Sequence, residues 1–106
     1  MNLSKSKLAF LYAPYFHPAL KKVSLIRKKI NQPTIFNFLG PLLNPTNSKL
    51  QLLGTSRFDT MEKIAQVIAL DRDNHVFIVH GFDGMDEISI SSKSYLQEVK
   101  NGEIFE

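Results

Sequence analysis

Hydrophobic residues follow two patterns along this chain, short continuous runs and helical spacing, and each pattern predicts a different kind of element. Three short apolar runs, bounded by turn-forming or polar residues, predict buried strands at Lys7–Tyr12, Leu50–Thr55 and His75–His80. The polar tail predicts two further short strands around Asn101-Gly102, because an Asn-Gly pair is a strong signal for a tight hairpin turn.

Two stretches with helical spacing lie between these runs. The first opens at His17-Pro18, since proline is well tolerated in the first turn of a helix, and Asn31-Gln32-Pro33 ends it. Its apolar positions recur every three or four residues, at Leu20, Val23, Ile26 and Ile30. The second begins with Asp59 or Thr60 as its cap and continues to about Leu70. Its predicted inward residues are Met61, Ile64, Ala65 and Ile68.

The order strand, helix, strand, helix, strand predicts an α/β fold with a mixed, partly parallel sheet flanked by helices. At 106 residues the chain has the size of about one domain with one modest core. It has no apolar run of 18 residues, so no membrane span is predicted, and its N-terminus fits a signal peptide poorly. The absence of cysteine excludes disulfides, thiol nucleophiles and thiolate metal sites. We therefore expect a cytoplasmic protein.

Charge is distributed unevenly along the chain. Residues 1–58 contain nine basic residues and no acidic one, whereas residues 59–106 contain four basic and ten acidic residues, so +9 and −6 give the net +3. This asymmetry favours an anion bound by the first half and a cation bound by the second. Nucleic-acid binding is disfavoured, because no recognised motif is present and the acidic half would repel phosphates.

Candidate chemistry lies where the predicted strands end, because ligands of α/β sheets gather beyond the carboxyl ends of strands. His17 follows the first predicted strand, and a glycine-flanked loop with the adjacent carboxylates Asp86 and Glu87 follows the third. Adjacent carboxylates suit Mg²⁺, which prefers oxygen ligands and is commonly completed by substrate phosphate. Purely structural interpretations stay open at this point. The acidic pair then lies on a solvated loop, His17 packs or caps a helix, and the aliphatic part of Arg27 covers apolar neighbours.

One segment, FNFLGPLLNP from Phe36 to Pro45, is apolar yet interrupted by proline and glycine, and no charge occurs from Pro33 to Ser48. Together with FLYAPYFHPALKKVSLIRKK, LQLLGT and VHGFDGMDEIS, in this order and spacing, it resembles the anthranilate phosphoribosyltransferases of tryptophan biosynthesis. The resemblance extends from about Leu8 to Glu106. One departure is Pro33, where many members of that family have arginine.

The resemblance implies an enzyme that joins anthranilate to phosphoribosyl pyrophosphate, with Mg²⁺, and releases pyrophosphate. It implies that five residues line the anthranilate channel: Ala13, His17, Arg27, Gly40 and Pro41. Arg27 is the expected partner of the anthranilate carboxylate, and Gly40-Pro41 resembles the family's interdomain hinge. Asp86 and Glu87 match the acidic pair that binds Mg²⁺ on the pyrophosphate. No residue is assigned as a catalytic acid, base or nucleophile.

The family's enzymes are much longer than this chain. Their N-terminal helical domain, which forms the dimer contact, and their glycine-rich phosphate loops have no counterpart in the sequence. We therefore expect residues 1–106 to be part of a catalytic α/β domain, inactive by itself, with a separate chain as a possible source of the N-terminal half. The alternative is a non-catalytic remnant, or an interaction or regulatory module derived from the family.

Overall fold

The computed structural model describes the chain except residues 1, 2, 31, 33, 38 and 41 and the side chains of Arg27 and Asn37. It forms two compact units, residues 1–40 and residues 41–106. That both belong to one partial catalytic domain stays a prediction. None of the helices within the described residues is long and apolar enough to cross a membrane.

The first unit is helical. It contains α1 (Leu3–Ser6), α2 (Ala13–Phe16), α3 (Pro18–Ile30) and a 3₁₀ turn (Ile35–Asn37). The helix α3 begins at Pro18 as predicted, because proline lacks only an N–H that the first turn leaves unpaired. The carbonyl of His17 accepts hydrogen bonds from the N–H groups of Leu20 (3.0 Å) and Lys21 (3.3 Å), which starts the helix.

The predicted strand at Lys7–Tyr12 is wrong. After Lys7 the segment runs as irregular chain to the start of α2, and Leu8 and Phe10 are 78% and 88% exposed. A strand needs a neighbour to pair its backbone N–H and C=O groups, and the described residues of the first unit contain no other strand. An apolar run alone therefore did not determine the structure.

The second unit is built on a four-stranded sheet. Its strands, in spatial as well as sequence order, are β1 (Leu50–Gly54), β2 (His75–Gly81), β3 (Ser94–Lys100) and β4 (Glu103–Phe105). The pair β1 and β2 is parallel, with Leu50 opposite His75 and Gly54 opposite Val79, and the other two pairs are antiparallel. The helix α4 (Phe58–Ala69) connects the parallel pair. The α/β class with a mixed, partly parallel sheet is thus confirmed.

The hairpin between β3 and β4 is also confirmed. Asn101 and Gly102 have φ angles of 55° and 83°, in the left-handed region that a two-residue turn of this kind requires at both positions. Asparagine tolerates this region better than other side chains, and glycine adopts it freely.

The core of the second unit lies between α4 and one face of the sheet. The predicted inward residues of α4 are all buried, and they pack against buried sheet residues: Leu53, Val76, Ile78 and Val99. The predicted helix cap is wrong, because α4 starts at Phe58 with Arg57 in the capping position. Asp59 lies within the first turn, where its negative charge interacts favourably with the positive end of the helix dipole. There it accepts hydrogen bonds from Arg57 Nε (3.0 Å) and Nη2 (2.8 Å).

Candidate functional site

The carboxyl ends of β1 and β2 meet at one edge of the sheet. Beyond the last residue of β1, the Thr55 N–H donates to the carbonyl of Val79 (3.0 Å), which prolongs the parallel ladder. His80 Nδ1 lies 2.8 Å from the carbonyl oxygen of Thr55. Because a carbonyl only accepts, Nδ1 is the nitrogen that carries the proton in this contact. The two strand ends are therefore held together at the place where ligands of parallel sheets bind.

The chain leaves β2 through a tight turn. The Gly84 N–H donates to the carbonyl of Gly81, and the Gly81 N–H donates to the carbonyl of Met85, both over 2.8 Å. Gly84 has a φ of 87°, which a residue with a side chain adopts only under strain. We call residues 82–93, which join β2 to β3, the acidic loop. Asp86 and Glu87 follow the turn directly, and both are exposed.

The acidic loop folds back onto the end of β1. A Cβ atom added to Gly54 would overlap the carbonyl oxygen of Asp86 and would lie 2.7 Å from its carbonyl carbon. Only a residue without a side chain lets the Asp86 backbone come so close. The structure thus brings the predicted metal-binding pair to the carboxyl end of the parallel strands.

Asp83 organises this loop from within. Its Oδ2 accepts hydrogen bonds from the hydroxyls of Ser89 (2.6 Å) and Ser91 (3.1 Å), and its Oδ1 accepts one from the Met85 N–H (3.3 Å). The Ser89 hydroxyl, followed by the Met85 N–H and the Ser91 hydroxyl, holds the pKa of Asp83 below its usual value. This role of Asp83 was not predicted from the sequence. The only sign of it there is the run of serines after Glu87, which supplies hydroxyl donors near the carboxylate.

The acidic pair suits a cation whose coordination shell is completed by other ligands. Among the described residues no group of three or more His, Cys, Asp or Glu side chains could hold a metal ion. Mg²⁺, however, is usually bound through one or two carboxylates together with water and substrate phosphates, so an exposed Asp-Glu pair fits its chemistry.

Aromatic side chains lie beside the strand ends. Phe58 at the start of α4 makes an edge-to-face contact with Tyr95 (4.8 Å between ring centroids) and lies 6.3 Å from the ring of His80. Phe82 in the acidic loop lies 6.0 Å from Tyr95. This cluster packs the first residue of the acidic loop against the sheet.

The residues matched to the anthranilate channel belong mostly to the first unit. Ala13 and His17 line a single cavity of about 370 Å³ together with Pro14, Leu20, Lys21 and Ser24. The His17 N–H donates to the carbonyl of Ala13 (2.8 Å), because His17 ends α2 and precedes α3. Gly40 lies in an exposed turn. Arg27 lies in α3, but its side chain, like all of Pro41, is outside the described part of the chain.

Comparison with known proteins agrees with the resemblance seen in the sequence. The model of a family described as "Glycosyl transferase family, a/b domain" matches residues 1–106. The anthranilate phosphoribosyltransferase of Caldicellulosiruptor saccharolyticus is 45% identical over 105 residues, which cover 99% of this chain and 31% of that protein. The enzyme of the same name from Methanosarcina mazei is 43% identical over 103 residues, covering 97% of this chain and 28% of that protein.

A solved structure is similar as well. The anthranilate phosphoribosyltransferase from Saccharomyces cerevisiae matches with a TM-score of 0.80 and 37% sequence identity, over 91% of this chain and 28% of that chain. The present chain therefore spans about a third or less of the length of these relatives.

Proposed function

Because this chain belongs to the family of glycosyl transferase α/β domains, we propose that it forms part of an anthranilate phosphoribosyltransferase. In that reaction the amine nitrogen of anthranilate forms a bond to the anomeric carbon of phosphoribosyl pyrophosphate. The bond from that carbon to pyrophosphate breaks, and the amine loses a proton. The observation that carries the proposal is the placement of Asp86 and Glu87 at the carboxyl ends of the parallel strands.

We propose that Asp86 and Glu87 hold Mg²⁺ for the pyrophosphate of the substrate. The bound ion would offset the negative charge that gathers on pyrophosphate as it leaves. The contribution of this chain is to present two exposed carboxylates on a loop whose backbone is already fixed against Gly54.

We propose that the first unit binds anthranilate. Its cavity of about 370 Å³ lies within the usual range of small-molecule pockets, about 300–1,000 Å³. Ala13, Pro14 and Leu20 give it apolar surface for an aromatic ring, and His17, Lys21 and Ser24 give it polar groups. The family resemblance also implies that Arg27, Gly40 and Pro41 line the anthranilate channel, with Arg27 as the partner of the substrate carboxylate.

The test is a chimera in which this chain replaces the matching 105-residue segment of the Caldicellulosiruptor saccharolyticus relative. We expect the chimera to consume anthranilate in the presence of phosphoribosyl pyrophosphate and Mg²⁺, followed as loss of anthranilate fluorescence. The double variant Asp86→Asn with Glu87→Gln keeps side-chain size but removes both charges. We expect it to lose about a hundredfold or more in turnover, as when charge-stabilising groups are removed from other active sites.

The matched control is Glu62→Gln with Glu103→Gln, which removes the same charge from two exposed carboxylates outside the acidic loop. We expect this control to keep its Mg²⁺-dependent turnover. A folded chimera without activity would contradict the proposed reaction. Equal activity of the two double variants would instead contradict the role given to the acidic pair.

We also propose that the 106-residue polypeptide assayed alone has no turnover. It spans 31% of the Caldicellulosiruptor saccharolyticus relative, and the reaction requires two substrates to be held in contact. The exposed apolar side chains of β1, Leu50 (65%) and Leu52 (62%), favour contact of that strand with further protein. Turnover by the polypeptide near that of the relative would overturn this proposal and leave the proposed reaction standing.

A further inference from the structure

We propose that Asp83 is a positioning residue that fixes the acidic pair for its metal-bound substrate without touching either. This inference rests on the proposed function of Asp86 and Glu87. The acidic loop contains three carboxylates. All three are exposed, and among the described residues Asp83 is the one whose oxygens accept hydrogen bonds from other parts of the loop.

The carboxylate of Asp83 closes the segment that carries the pair. It accepts a hydrogen bond from the Met85 N–H, immediately before Asp86, and another from the Ser89 hydroxyl, two residues after Glu87. Both sides of the Asp86-Glu87 segment are therefore fastened to one side chain. Movement of the pair relative to Asp83 would stretch or break these bonds.

The hydrogen bond from Ser89 to Asp83 is short. An ionised carboxylate that accepts from a hydroxyl forms a charge-assisted hydrogen bond, typically about 2.5–2.7 Å long, and Ser89 Oγ lies 2.6 Å from Asp83 Oδ2. The same oxygen accepts from the Ser91 hydroxyl, and Oδ1 accepts from the Met85 N–H. Both oxygens of Asp83 thus accept hydrogen bonds from within the loop.

The serine network extends this anchor to the sheet. Ser89 Oγ accepts hydrogen bonds from the N–H groups of Ser91 (3.1 Å) and Ser92 (2.9 Å). The Ser89 N–H donates to Ser94 Oγ at the first residue of β3 (2.8 Å). These hydrogen bonds therefore connect Asp83, through Ser89, to the first residue of β3.

The first experiment measures loop position in the 106-residue polypeptide. We expect Asp83→Ala to weaken or abolish the NMR cross-peaks between Gly54 and the Met85–Glu87 segment, and to speed amide exchange at Met85. Asp83→Asn keeps an acceptor oxygen and should retain part of both signals. The control Asp73→Ala removes an exposed aspartate from another loop and should change neither. Unchanged cross-peaks in Asp83→Ala would overturn the claim that Asp83 holds the loop.

The second experiment uses the chimera described above and measures how the position of the acidic loop affects metal and substrate binding. We expect Asp83→Ala to weaken Mn²⁺ binding in the presence of pyrophosphate, measured by electron paramagnetic resonance, by about tenfold to a hundredfold, the effect typical of residues that orient metal ligands. The KM for phosphoribosyl pyrophosphate should rise with it, while the KM for anthranilate should stay within twofold. A general loss of structure would raise both KM values.

The outcomes separate this inference from the proposed function. Wild-type Mn²⁺ affinity in Asp83→Ala, alongside loss of affinity in Asp86→Asn with Glu87→Gln, would overturn the positioning role alone. If the parent chimera bound no Mn²⁺ with pyrophosphate, the proposed metal site and the affinity claim would both fail. The cross-peaks to Gly54 would then still decide whether Asp83 holds the loop.

Discussion

Replacing Gly54 by alanine tests the contact that brings the acidic loop to the strand ends. The new Cβ would lie 2.7 Å from the carbonyl carbon of Asp86 and would overlap its oxygen, whereas non-bonded carbon atoms prefer about 3.5–4.0 Å. One backbone segment must therefore move by about 1 Å or more. Overpacking of this kind costs about 1–3 kcal/mol, and alanine recovers about 0.5–1 kcal/mol relative to glycine within a strand.

The difference leaves a destabilisation of about 0–2.5 kcal/mol, centred near 1 kcal/mol. For a unit of this size that corresponds to a Tm lower by about 4–8 °C. Circular dichroism at rising temperature measures this shift. NMR cross-peaks between Gly54 and the Met85–Glu87 segment show whether the loop has moved away.

A double-mutant cycle with Asp83→Ala identifies what resists the movement. If the Asp83 network holds the Asp86 carbonyl in place, loosening that network should relieve part of the overlap. The double variant should then be less destabilised than the sum of the single variants, by at least about 0.5 kcal/mol. A Gly54→Ala variant as stable as the parent, with its cross-peaks to the loop intact, would refute the close approach on which this reasoning depends.

Three further predictions concern single residues. In the chimera, Arg27→Ala should raise the KM for anthranilate about tenfold or more, because a charge-assisted pair contributes roughly 1.5–3 kcal/mol; an unchanged KM would contradict the pairing. Gln97→Met should leave stability unchanged or raise it by up to about 1 kcal/mol in thermal unfolding, because Gln97 is 4% exposed and its Oε1 has no hydrogen-bond partner among the described residues, while its Nε2 donates one bond of 3.2 Å to the exposed Glu106. Asp71→Asn should reduce stability at neutral pH but not at low pH. The hydrogen bond from Lys49 Nζ (2.5 Å) and then the Asp73 N–H hold the pKa of Asp71 below its usual value, so this stabilisation is present above about pH 3.9 and is lost as the pH falls through the folded-state pKa. Parallel stability curves of parent and variant down to low pH would contradict it.

The second unit was predictable from the sequence because its elements depend on local pattern and on a core within the same segment. The spacing of Met61, Ile64, Ala65 and Ile68 marked the buried face of α4, and Asn101-Gly102 marked the hairpin. Lys7–Tyr12 was not predictable in the same way. Its composition suits a buried strand, but strand formation depends on a partner, which an apolar run does not encode.

The site was predictable in part. Asp86 and Glu87 could be singled out as adjacent carboxylates after a strand, and the family resemblance gave them a role. Their placement against Gly54 depends on two segments that are more than thirty residues apart in sequence, and no local pattern carries that information. The same holds for His80, whose ring reaches the carbonyl of Thr55 on the neighbouring strand.

The separate roles that we propose for the carboxylates of the acidic loop agree with the requirements of binding a hard cation. Carboxylates that bind such a cation must be accessible to it, so they cannot be fixed by burial in a core. An exposed loop that became ordered only on binding would lose affinity to the entropy of that ordering. Hydrogen bonds from Ser89, Ser91 and Met85 to Asp83 order the loop in advance without burying the pair. We therefore expect substitutions at Asp83 to act mainly on the affinity for the metal-bound substrate, and those at Asp86 and Glu87 to act on turnover as well.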